Sequence, residues 1–148
     1  MKSSREQKKV LEFLKSESTM VLATRGEDGL PYAAPLFYVV DESFRFYWLS
    51  SRDSVHSLHL QSSPQASAAV FHSTFRWREI EGVQMRGVCS ILDGPERSAI
   101  LAEYCERFHL GTVLSLAARH STLYCFQPQW VRMTENKIRL GRKIEFNL

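Results

Sequence analysis

VLATRGEDGLPYAAPLFYVV (residues 21–40) reads as two strands and the turn between them. Val21, Leu22, Ala23 and Thr24 form a short apolar run. Gly26, Glu27, Asp28 and Gly29 supply the Asp-Gly chemistry that permits positive φ, and residues 32–40 are aromatic and β-branched. In the second run Tyr32, Ala34, Leu36, Tyr38 and Val40 alternate with Ala33, Pro35, Phe37 and Val39, so both faces are apolar. A solvated sheet carries one polar face. The pattern therefore predicts a barrel interior on one side and a further layer or a dimer interface on the other. Pro31 and Pro35 cannot donate to a ladder, which predicts a free or bulged side beside them.

The chain around this hairpin has 148 residues, the length of one domain, here residues 1–148. At that size folding buries roughly 70% of the unfolded surface. With 44% hydrophobic and 24% charged residues the composition is that of an ordinary soluble protein. A net charge of +3 suits anionic small molecules and is too small to indicate nucleic acid. MKSSREQKKV is charged without a following signal-like apolar core, and no apolar run approaches the length of a membrane span. The expected location is cytoplasmic, with no membrane partner. Cys89, Cys105 and Cys125 are odd in number and far apart, which suits reduced thiols.

Taken in order, Ser3 and Glu6 fit a capping box ahead of Val10, Leu11, Phe13 and Leu14 at helical spacing. After the hairpin, residues 41–43 turn into a strand over residues 44–49. Asp53 or Ser54 then caps a helix through Val55, Leu58 and His59 that ends at Pro64. Residues 65–72 are a strand of small side chains, implying close approach of a ligand or another segment. A further strand covers residues 82–92. Pro95 and Glu96 start a helix whose buried stripe is Ile100, Leu101, Tyr104, Cys105 and Phe108. Residues 110–121 read as a loop with a short helix. A strand over 123–133 is interrupted at Gln127 and Pro128, and residues 138–146 return as the last strand. The fold class is mainly β with helices (α+β), a closed or nearly closed antiparallel barrel.

Chemistry concentrates after the third strand. Ser50, Ser51, Arg52, Ser54 and His56 gather hydroxyls, a guanidinium and an imidazole at a helix N-terminus, a suitable place for an anion such as phosphate. A plain helix cap with exposed serines reads equally well from these residues. Gln84 and Arg86 form a polar strand face opposite Val83, Met85 and Gly87. A Gln there can offer both donor and acceptor to a planar heterocycle. Phe75, Arg76, Trp77 and Arg78 interleave aromatic and basic groups as single-stranded nucleic-acid binders do. One short loop without a basic stripe favours a ligand flap or dimer contact instead. His56 and His59 lie three apart, but no ligand pattern completes a metal site, and no nucleophile–base pair is recoverable.

The hairpin resembles the opening of the FMN-binding split-barrel proteins, the pyridoxamine 5′-phosphate oxidase-like family, whose pattern is an ATxxxDGxPxxxP run and an aromatic strand. FRFYWLSSRDSVHSLHLQSSPQASAAV is similar to the family's third strand, phosphate turn, helix and fourth strand. GVQMRGV is similar to the strand with the cofactor-facing Gln, and ENKIRLGRKIEF to the last hairpin of a small bacterial subgroup. The resemblance implies a six-stranded antiparallel split barrel and a homodimer with FMN in a groove between subunits. By position, Ser50, Ser51 and His56 would adjoin the FMN phosphate, with Arg52 and Arg86 as further phosphate partners. Tyr47, Trp48 and Leu49 would offer backbone to the isoalloxazine edge, and Gln84 a hydrogen bond to the ring. The true oxidases carry an Arg-Lys pair where this chain reads Ser51-Arg52-Asp53-Ser54, which argues against vitamin B6 as substrate. The implied function is an FMN-dependent oxidoreductase of unknown substrate. The alternatives are a non-catalytic flavin- or haem-binding module that stores or senses its cofactor and, ranked last, a nucleic-acid-binding barrel using Arg76, Trp77 and Arg78.

Overall fold

The helical spacing of Val10, Leu11, Phe13 and Leu14 produces α1 (Ser4–Ser16), which buries those four side chains. The computed structural model describes residues 4–148, so the expected Ser3 cap lies outside the described residues. The hairpin follows as β1 (Thr19–Arg25) and β2 (Pro31–Phe37), in antiparallel register from Thr19 opposite Phe37 to Arg25 opposite Pro31. Gly29 takes φ +77° in its turn, as the Asp-Gly chemistry requires. On its other side β2 pairs with no strand among the described residues, so Pro31 and Pro35 remove no ladder bond there. The strand expected over residues 32–40 breaks at Tyr38. Beyond it β3 (Val39–Val40) turns to pair with β4 (Phe46–Ser50).

The remaining elements are α2 (Val55–Ser62), β5 (Gln65–Phe71), β6 (Glu81–Ile91), α3 (Arg97–Arg107), α4 (Gly111–Arg119), β7 (Thr122–Glu135) and β8 (Arg142–Asn147). One wholly antiparallel sheet runs β2-β1-β5-β6-β7-β4-β3, with β8 on the free part of β7. Its two ends, β2 and β3, are separated in sequence by Tyr38 alone. The sheet thus curls into a split barrel closed by covalent chain. It has eight strands where the resemblance implied six and the sequence pattern marked seven, because the 32–40 run divides in two; the last strand, expected over 138–146, is β8 at Arg142–Asn147.

Phe44, expected inside a strand, adopts φ +61° in the turn before β4. The Asp41 carboxylate organises that turn, accepting from the backbone N–H groups of Ser43 and Arg45, from Arg45 Nε and from the Tyr47 hydroxyl. The interruption expected at Gln127 and Pro128 is a bulge within a continuous β7. Register shifts between Arg86 and Gly87, and a Cβ on Gly87 would fall 2.0 Å from the Gln127 carbonyl oxygen. Gly87 therefore serves both close approach and bulge. Val55 and Leu58 are half-exposed on α2, which buries His56 and Ser57 instead. Its sequence periodicity pointed to the opposite face.

The barrel interior is apolar, with Met20, Leu22, Phe46, Trp48, Val83, Met85, Phe126 and Met133 at its centre. A second cluster packs α3 against the outside of β4 and β7 through Tyr104, Val39, Tyr47 and Leu123. Cys89 and Cys125 are buried free thiols, and burial pushes them up to about 12 and about 11. No helix among the described residues is long and apolar enough to cross a membrane.

Among the described residues one charged group lies fully inside. Glu135 ends β7 with its carboxylate bound to Lys9 on α1 and, at 2.8 Å, to Arg142 on β8. Removing the buried carboxylate leaves Lys9 and the partly buried Arg142 without their shared partner and empties a packed site, at a cost of about 3 kcal/mol. Glu135→Ala is expected to lower unfolding free energy by about that amount in urea titrations. Glu12→Ala, which deletes an exposed i,i+4 pair with Lys8, should change it by less than about 0.5 kcal/mol. Equal effects would contradict a structural role for Glu135.

Candidate functional site

At the end of β4 the chain leaves the sheet and enters α2, and polar side chains fold back on one another. His56 is buried, with Nε2 2.7 Å from Ser50 Oγ and 3.2 Å from Ser54 Oγ. Ser54 occupies the N-cap without a side-chain bond to the helix backbone. Its hydroxyl lies 2.9 Å from the Ser51 carbonyl oxygen and 2.7 Å from Ser57 Oγ. Ser51 Oγ donates to Asp53, and Arg52 Nε donates to Thr122 Oγ1 at 3.2 Å. Burial, and then the neighbouring His59, hold the His56 imidazole below its ordinary pKa. The structure thus brings Ser50, Ser51, Ser54 and His56 together, with Arg52 exposed at the rim.

His59, one turn on, ties α2 to the hairpin. Its Nδ1 lies 3.0 Å from Thr24 Oγ1 and its ring meets Tyr32 edge-on at 5.7 Å. A Cβ at Gly26 would fall 2.8 Å from His59 Nε2, so the turn glycine is also a packing residue.

The expected backbone contributors Tyr47, Trp48 and Leu49 are mostly engaged within the chain. Tyr47 pairs across to Val39 and Cys125, and its buried hydroxyl donates to Asp41 at 2.9 Å. Trp48 stacks on Tyr124 with centroids 5.3 Å apart, and its indole N–H is buried without a partner among the described residues. The Leu49 backbone hydrogen-bonds the Tyr104 hydroxyl from α3.

Gln84 and Arg86 lie elsewhere, on the outer face of the sheet. They line a groove of about 330 Å³ with Val21, Ala23, Ala69 and Trp130. The small side chains foreseen on β5 form its floor. Arg86 stacks over the Trp130 ring at 4.4 Å and Arg132 over the same ring at 5.0 Å. Glu145 fixes this group by accepting from Trp130 Nε1 and Arg132 Nε, each at 3.0 Å. Ser50 pairs with Thr122 and Gln84 with Arg132, ten positions further along β7. The two sets of expected ligands are separate features of one chain.

Sequence reasoning missed Trp130 and Arg25 as groove residues, since only the sheet order sets β1, β5, β6 and β7 side by side. The Phe75–Arg78 motif forms an exposed loop ending in a short 3₁₀ turn, Trp77–Glu79. Arg78 covers the Trp77 ring at 4.7 Å and Asn136 Nδ2 donates to the Trp77 carbonyl at 2.8 Å. The Asn136 bond ties the Trp77 end of the loop to the end of β7. Among the described residues no three His, Cys, Asp or Glu side chains converge as a metal site.

The chain is 28% identical over 136 residues to a "UPF0306 protein" of Yersinia pseudotuberculosis, covering 91% of this chain and 88% of that one. In three dimensions it is similar to the conserved hypothetical protein Rv2991 of Mycobacterium tuberculosis, with TM-score 0.78, 19% identity and coverage of 96% and 91% of the two chains. It is also similar to HutZ, the haem storage protein of Vibrio cholerae, with TM-score 0.69, 20% identity and coverage of 82% and 89%. At these identities the structural likenesses establish the fold. The family model described as pyridoxamine 5′-phosphate oxidase matches residues 7–135, from the first helix through the full length of β7. With the split-barrel topology and that match along most of its length, the chain belongs to the pyridoxamine 5′-phosphate oxidase family.

Proposed function

We propose that the protein is a cytoplasmic FMN-binding flavoprotein with oxidoreductase activity, its cofactor held between two copies of the chain. The outer groove carries this reading. Its floor of Val21, Ala23 and Ala69 is small and flat enough for a planar ring, and Gln84 brings an amide donor and acceptor to the edge. Among the described residues no histidine, cysteine or tyrosine lines it, and the side chain of Met85 is buried in the barrel core, which favours a flavin over a haem that needs an axial ligand. The Ser50–His56 cluster suits the phosphate, but it does not line the groove that holds Gln84 in the same chain. A second copy would supply it. Leu30, Tyr32, Val55 and Leu58, exposed on and beside β2 and α2, support such a partner.

When bound, FMN supplies the electron transfer. The chain's residues would position it: Gln84 orients the ring, and Ser50, Ser51, Arg52 and His56 neutralise and hold the phosphate. The charge of Arg86 beside the ring groove, with that of Arg132 offset by Glu145, would favour a reduced, more anionic flavin. A second reading, supported by the likeness to HutZ, is a module that stores or senses flavin or haem without turnover. Bound flavin that no reductant–acceptor pair turns over would favour it.

An absorbance spectrum before and after adding FMN is expected to show stoichiometric uptake by a dimer, and failure to take up FMN would sink the reading. Ser51→Ala with His56→Ala removes hydrogen bonds to a charged group, so FMN affinity should fall about a hundredfold. Riboflavin, which lacks the phosphate, should lose less than about threefold on the same estimate. Equal losses would refute the phosphate assignment.

Affinity for FMN should also depend on pH with a definite sign. Burial disfavours the imidazolium of free His56, whereas an adjacent phosphate favours it, so binding raises this pKa and takes up a proton. Flavin-fluorescence titrations should therefore show FMN binding tightening as pH falls from about 8 to about 6.5, the ordinary histidine value. Riboflavin binding should stay flat. Tighter FMN binding at the higher pH would contradict the placement of His56.

A further inference from the structure

The ring groove does not end at Arg86. Ala23, Ser67 and Arg86 also line a second groove of about 500 Å³, which continues past the end of β1. There Thr24, Arg25, Ser63 and Gln129 join the wall, and no aspartate or glutamate side chain does. Arg25 is exposed and makes no ion pair with any described carboxylate, and Arg86 stacks on the Trp130 ring. Two arginines facing one concavity without a counter-charge repel each other unless an anion is present. Their donors are of the kind that fork onto carboxylate or phosphate oxygens.

We propose that this end of the trough is an oxyanion subsite, taking the phosphate or carboxylate of a second ligand whose planar part enters the ring groove. The identification of that ligand as the flavin's reaction partner rests on the proposed function. The subsite is distinct from the Ser50–His56 cluster. The eight residues of α2 separate Ser54 from Ser63, about 12 Å of helix. Its neighbourhood explains two features that scaffold alone leaves idle. The bulge at Arg86 and Gly87 leaves Gln129 without a β6 partner and facing the groove. Arg25 stands beside the Asp-Gly turn, where an uncharged residue would serve the hairpin as well.

Nuclear magnetic resonance of the arginine Nε–H groups tests this at about 0.15 M salt, with methyl phosphate and acetate as probes. One or both probes should shift Arg25 and Arg86 saturably, and the tighter one names the oxyanion. Arg25→Gln should weaken the response at Arg86 at least tenfold, and Arg78→Gln, outside the groove, should leave it unchanged. The response should persist in protein saturated with FMN. No saturable shift, or equal weakening by Arg78→Gln, would overturn the subsite. So would loss of the response on loading FMN but not riboflavin, because the groove would then hold the flavin's own phosphate. Protein that binds the probes at Arg25 but takes up no flavin would refute the flavin reading and leave the subsite standing.

Discussion

Tyr38 sits where the two ends of the sheet meet. The residue before it ends the strand paired with β1, and the residue after it begins the strand paired with β4. Its side chain is fully buried. The hydroxyl donates to the Leu14 carbonyl at 2.5 Å, and its backbone N–H donates to the Ser18 carbonyl at 3.1 Å. These two bonds fix the end of α1 and the start of β1 against the seam. Burial pushes the phenol's pKa well above its ordinary value, which keeps it a donor. The first helix, the hairpin and the inner sheet are therefore positioned by one residue, and the outer groove exists because β1, β5, β6 and β7 are held side by side around the barrel.

Much of this was legible in residues 21–40. Apolar residues on both faces announced a strand covered on two sides, and the inner cover is the barrel core. The outer cover is partial within one chain: Ala33, Pro35 and Phe37 on that face of β2 are exposed, and Phe37 meets only Phe108 at the end of α3 among the described rings. What the pattern could not reveal was the break at Tyr38. A run of aromatic and β-branched residues looks continuous whether or not it changes pairing partner. Helix α2 misled for a related reason. Val55 and Leu58 suggest a core face, yet His56 and Ser57 are inside because they complete a polar network with Ser50 and Ser54.

The candidate site was legible by residue type and illegible in assembly. Ser50, Ser54 and His56 are local in sequence, so their convergence followed from a strand-to-helix turn. Gln84 and Arg86 were read correctly as one strand face, but the floor beneath them comes from β1 and β5 and the wall from Trp130. No spacing rule links Val21, Ala69 and Trp130. The same limit hid Arg25, which is a turn-flanking residue in sequence and one wall of a charged groove in space. Asp53, which as a free carboxylate would repel a phosphate, accepts a hydrogen bond from Ser51 instead.

The proposed cofactor site draws on two copies of the chain, because its phosphate-facing residues do not line the groove that holds its ring-facing ones. The most direct test mixes two variants, Ser51→Ala with His56→Ala in one and Gln84→Ala in the other, under conditions that exchange subunits. In each mixed dimer one site carries both defects and the other carries neither. Tight FMN binding should therefore reappear at one site per mixed dimer, although neither parent shows it. A mixture that binds FMN no better than its parents, with exchange verified, would contradict a site shared between subunits.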